Sequence, residues 1–97
     1  MSLTAFQFEP SALTVKAGTV VFFVENNDEV PAGSPGTNHT LTIGSALGQP
    51  LANTGYVHSS EAAVFTVEGL VPGEYVVWCS VPEHADMGMV GTLTVTP

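Results

Sequence analysis

Hydrophobic and polar positions alternate with a period of two along most of this chain, and that period predicts β-strands. In Thr4-Ala5-Phe6-Gln7-Phe8, small or polar residues alternate with aromatic ones until Glu9-Pro10 interrupts them. Leu13-Thr14-Val15-Lys16 alternates again, and Ala17-Gly18 supplies a turn. Thr19 to Glu25 is a β-branched and aromatic run suited to a central strand, stopped by Asn26-Asn27-Asp28. Pro31, Gly33, Pro35 and Gly36 predict a loop that His39 closes. The strand predicted next, Thr40-Leu41-Thr42-Ile43, has Leu41 and Ile43 on one face and the threonines on the other. Ala63–Val67, Glu74–Cys79 and Val90–Val95 complete the set, with a turn at Glu68–Gly73.

The stretch from Gly44 to Ser60 carries no sustained period. Gly, Pro and Asn interrupt it, so it reads as a long connection with room for a short helical turn. No segment carries the period of an amphipathic helix. About seven to eight short strands, turn signals roughly every 8 to 12 residues and no internal repeat predict an all-β Greek-key sandwich. At 97 residues the chain is expected to form a single domain, residues 1–97, around one core.

Composition narrows the function. With 44% hydrophobic and 10% charged residues the chain has the means to bury a core. No apolar run approaches the ~20 residues of a membrane-spanning helix. Nine acids stand against a single cation, Lys16, for a formal net charge of −8. That balance argues against nucleic acid and anionic membranes and favours a cationic protein partner. One cysteine excludes an internal disulfide, so Cys79 is an inert buried thiol, a ligand or a nucleophile. Met1-Ser2 leads directly into a strand pattern without a basic and apolar leader, which predicts a cytosolic protein or one whose leader is absent from this sequence.

The chemistry concentrates in the loop between the last two strands. Cys79 is followed five positions later by His84 and five after that by Met89, while His39 lies at the mouth of another strand. Loops of both sheets gather at the ends of a sandwich, where these residues can meet. One thiolate, two imidazoles and a thioether are the donor set of a blue-copper site. Cys and two His also bind Zn²⁺ readily, although a thioether is not a donor that zinc favours. Cys79 with His84 or His39 resembles a nucleophile and its base, but neither a helix N-terminus nor a basic neighbour favours the thiolate. Taken singly, the same residues read as a buried Cys, a loop His and core Met. His58 has no partner motif and is expected on the surface. Asn38-His39-Thr40 spells a glycosylation sequon, where a sugar would obstruct the cluster.

Gly73-Glu74-Tyr75, Trp78-Cys79-Ser80-Val81-Pro82-Glu83-His84 and Met87-Gly88-Met89-Val90-Gly91-Thr92-Leu93-Thr94-Val95 together resemble the C-terminal signature of the cupredoxins, the plastocyanin, azurin, pseudoazurin, auracyanin and halocyanin relatives. Phe8-Glu9-Pro10 through Leu13, Val15, Ala17-Gly18 and Val20 to Asn26 are similar to that family's opening strands. The resemblance implies one copper ion with His39, Cys79, His84 and Met89 as ligands, and Met87 as an apolar contact beside His84. It further implies a monomeric one-electron carrier, not an enzyme, that meets redox proteins by a weak contact near His84. A periplasmic or otherwise extracytoplasmic location follows from the same likeness.

Two departures stand out. Thr40 follows His39 where many members have an Asn that ties the ligand loops together, and Glu83 stands where azurin-like loops often have Gly. The Thr40 and Val81 backbone N–H groups are candidate donors to the Cys79 sulfur. Multicopper oxidases and nitrite reductases place His directly before the Cys, whereas Trp78 stands here, so a second, catalytic copper has no ligands. The alternative is a non-redox Cu or Zn domain for storage, delivery or sensing.

Overall fold

The computed structural model describes residues 1–4, 7–47, 49–81, 84 and 88–97. Strands β1 (Ser2–Thr4), β2 (Gln7–Glu9), β4 (Gly18–Asn26) and β9 (Ala62–Leu70) form one sheet in the order β2-β1-β4-β9. The other has the order β3-β11-β10-β6-β7, from β3 (Ala12–Lys16), β6 (Thr42–Ala46), β7 (Gln49–Asn53), β10 (Gly73–Trp78) and β11 (Val90–Thr96). A short ladder joins β5 (Asn38–His39) to β8 (Val57–His58). No helix occurs among the described residues. The architecture is the expected all-β sandwich.

Period-two patterning explains which side chains meet between the sheets. Along β4, Val20, Phe22, Val24 and Asn26 are buried while Thr19, Val21, Phe23 and Glu25 are exposed. The Phe22 ring leans on Phe65 of β9 with centroids 6.0 Å apart. Across the core stand Tyr75 and Val77 of β10 and Leu93 and Val95 of β11. Each fully buried aliphatic or aromatic side chain contributes roughly 1.5–3 kcal/mol. The Tyr75 hydroxyl donates to the Val71 carbonyl at 2.7 Å, closing the β9–β10 corner in the manner of a Greek-key tyrosine corner.

Two segments differ from expectation. The strand expected over Thr4–Phe8 crosses Ala5 and Phe6, which lie outside the described residues; on either side of them β1 and β2 pair antiparallel, with Leu3 opposite Phe8 and both buried. The expected long connection from Gly44 to Ser60 contains β7 and β8 instead of a helical turn. Main-chain pairing of β7 with β6 is broken by register shifts around Gly44, and Leu47 and Leu51 remain exposed, so no buried face writes a period into that sequence. Thr40 to Ile43 is also buried on both faces, threonines included.

Candidate metal centre

Tyr75, Val77 and Cys79 share the inward side at the end of β10, and the alternation carries Cys79 into the core at 1% exposure. Beyond it the chain is strapped by its own main chain. Cys79 N–H donates to the Met89 carbonyl at 3.1 Å, Met89 N–H to the His84 carbonyl at 3.0 Å, and His84 N–H to the Val81 carbonyl at 3.1 Å. Three of the four expected donors are therefore mutually fixed before any side-chain contact is counted. Met89 is fully buried in the same core cluster as Cys79. His39 arrives from β5, where it pairs with Val57, and its side chain is fully buried; His84 is half-buried.

His39, Cys79 and His84 converge on one point. His39 Nδ1 and His84 Nδ1 lie 3.2 Å apart, Cys79 Sγ lies 3.4 Å from His84 Nδ1, and Sγ lies 3.9 Å from His39 Nδ1. The circle through these three atoms has a radius of about 2 Å, the bond length expected from imidazole nitrogen or thiolate to a first-row metal ion. Three donors of this softness in one near-trigonal triangle suit a single type 1 copper ion.

Thr40 joins the two halves of the site. Its N–H lies 3.4 Å from Cys79 Sγ, as expected of one of the two candidate backbone donors; Val81 contributes the carbonyl that holds His84. Ser80 N–H donates to Thr40 Oγ1 at 2.8 Å, and the Thr40 and Ser80 hydroxyls are 2.9 Å apart. Asn53 Nδ2 supports this pair, donating to Thr42 Oγ1 at 2.5 Å and to Ser80 Oγ at 3.2 Å. A threonine hydroxyl thus ties the His39 strand to the Cys79 loop, the role that the resemblance gives to an asparagine.

Asp28 escaped the sequence reading, which took it only as part of a strand stop. Its Oδ2 lies 2.6 Å from His39 Nε2, and the Thr37 hydroxyl donates to the same oxygen at 2.5 Å. The only sequence signal is an acid in the loop that His39 closes. His58 lies outside the triangle, its Nδ1 2.9 Å from Asn38 Oδ1. Pro82, Glu83, Ala85, Asp86 and Met87 fall outside the described residues, and with them the expectations for Glu83 and Met87.

A two-sheet sandwich closed at one end by a Cys-His-His triangle defines a copper protein of the cupredoxin kind. The chain belongs to the plastocyanin/azurin family of copper-binding proteins, whose sequence profile matches residues 1–96. Auracyanin B superposes with a TM-score of 0.82 at 23% identity, over 97% of this chain and 83% of its own. Dithionite-reduced auracyanin from Roseiflexus castenholzii gives 0.80 at 18% identity, covering 99% and 95%. Auracyanin A from Chloroflexus aurantiacus, described as a "blue" copper protein, gives 0.77 at 20% identity, covering 99% and 97%. None of the curated protein sequences matches this chain significantly.

Proposed function

We propose that this chain is a single-domain, monomeric carrier of one electron at a time between larger redox proteins, with His39, Cys79, His84 and Met89 as the ligands of one copper ion. The observation that carries the reading is the donor triangle, whose size fits one first-row metal and whose composition fits copper. Copper bound there supplies a Cu(II)/Cu(I) couple for which soft sulfur and imidazole donors are a compromise between the two oxidation states.

The protein's part is to keep its donors still. A chain of main-chain bonds, Cys79 N–H to the Met89 carbonyl and Met89 N–H to the His84 carbonyl, holds the β10 and β11 ends together, and His39 is buried, so the cradle that receives an electron resembles the one that releases it. Thr40 N–H, aimed at Sγ, is placed to hydrogen-bond the sulfur of a metal-bound Cys79. Half-buried His84 offers the way out for an electron: a partner need only reach that edge, through a weak contact burying less than roughly 1,200 Å². Such a carrier needs no substrate pocket and performs no bond chemistry. Kinship with the auracyanins and the wider family supports an extracytoplasmic location.

Reductive and oxidative titration of the copper-loaded protein tests this. One electron per chain, taken up and given back without change in far-ultraviolet circular dichroism, is expected. Metal that stays bound but does not cycle would assign the chain to storage or sensing. Cys79→Ser is expected to abolish the colour of the copper protein while leaving the sandwich folded; an unchanged spectrum would remove Cys79 from the site.

A further inference from the structure

Asp28 stands behind His39, on the side of the ring away from the donor triangle. Its carboxylate faces Nε2 at 2.6 Å while Nδ1 faces Cys79 and His84. Only 11% of the Asp28 side chain is exposed, and that of His39 not at all. The carboxylate is held from several directions. Thr37 Oγ1 donates to the same oxygen, and Asp28 N–H donates to Asn26 Oδ1 at 3.0 Å. Asn26 is itself fully buried at the end of β4, with Nδ2 donating to the Val57 carbonyl at 2.8 Å and the Thr37 carbonyl at 3.3 Å. The ends of β4 and β8 and the intervening loop thus converge to place one carboxylate oxygen against one ring nitrogen.

We propose that Asp28 is a positioning residue for the copper couple: it fixes His39 as the tautomer with its proton on Nε2, and its charge, acting through the ring, favours Cu(II) over Cu(I). The inference rests on the copper reading above and adds to it a residue that sets the potential. A carboxylate oxygen only accepts, so the ring nitrogen facing it carries the proton, and the Nδ1 lone pair is left for the metal. A carboxylate on the far nitrogen also raises the basicity of the ligating one. Negative charge in a poorly solvated setting stabilises the more highly charged metal state, so basicity and Coulomb attraction act in the same direction. Lys16, the single Lys or Arg of the chain, pairs with Thr96 at the far end of β11 and does not offset that charge.

Two substitutions give opposite signs. Asp28→Asn retains an acceptor oxygen and removes the charge. The ratio of Cu(II) to Cu(I) affinity is expected to fall at least tenfold, a rise in potential of about 59 mV for each factor of ten. Thr37→Val keeps the carboxylate and removes a hydrogen bond that disperses its charge, so the potential is expected to move down. Nitrogen-15 NMR of the metal-free wild type is expected to show His39 protonated on Nε2. A Cu(II)/Cu(I) affinity ratio in Asp28→Asn that falls less than tenfold below that of the wild type, or shifts of the same sign in both variants, would overturn the proposal, as would an Nδ1-protonated His39. The tautomer is read without copper, so it judges Asp28 even if the wild-type protein fails to form a reversible copper couple, the result that sinks the functional reading instead.

Discussion

Thr40 does with one hydroxyl what joins the site's two strands. Buried at 1% exposure, it receives Ser80 N–H and meets the hydroxyls of Ser80 and Thr42, while its own N–H reaches the Cys79 sulfur. Thr40→Ala is expected to cost about 1–3 kcal/mol, because it leaves the Ser80 donor without its acceptor. Urea unfolding of the metal-free protein checks this. The convergence of His39, Cys79 and His84 was legible because their residue types are rare in this chain and their spacing is diagnostic. Asp28 was not legible: nothing local distinguishes an acid that ends a strand from one that turns inward to meet a histidine 11 positions on. That distinction is made by Asn26 and Thr37, and it exists only once β4 and β8 are side by side.

At the scale of elements, β4, β9, β10 and β11 were readable because each presents one buried face to the core. The start of β6 was foreseen in the strand expected over Thr40–Ile43, but β7 was not, because its pairing with β6 serves the main chain and one tight contact. Gly44 lies under the Trp78 ring: a Cβ there would sit 2.8 Å from Trp78 Cη2 and closer still to the Gln49 carbonyl oxygen. The glycine therefore leaves room for Trp78, next to Cys79, to be buried at 6% exposure. Gly44→Ala is expected to destabilise the fold by about 1–3 kcal/mol, as overpacking does, with a lower urea midpoint. Trp78 fluorescence is expected to shift to longer wavelength as the ring is lifted toward water. Gly91 is similarly constrained, its Cα packed against the Ser11 carbonyl where β11 passes the start of β3.

The molecule as a whole carries its one Lys far from the metal end and a net charge of −8. Long-range attraction, screened within ~10 Å at 0.1 M salt, steers cationic partners without fixing their docking. The rate of electron exchange with a small cationic redox complex is expected to fall as salt rises, and that with an anionic complex to rise; stopped-flow measurements at two ionic strengths separate them. The site exists only in the folded chain, since His39 on the β5–β8 ladder and Cys79 at the end of β10 are 40 residues apart in sequence. Adding Cu(II) to the metal-free protein and recording visible and electron paramagnetic resonance spectra bears most directly on that convergence. An intense band toward the red end of the visible, with unusually narrow copper hyperfine splitting, is predicted for a metal held by the Cys79 thiolate and both imidazoles. A weak absorption with ordinary Cu(II) splitting would show that the three donors do not close on one ion and would contradict the assignment.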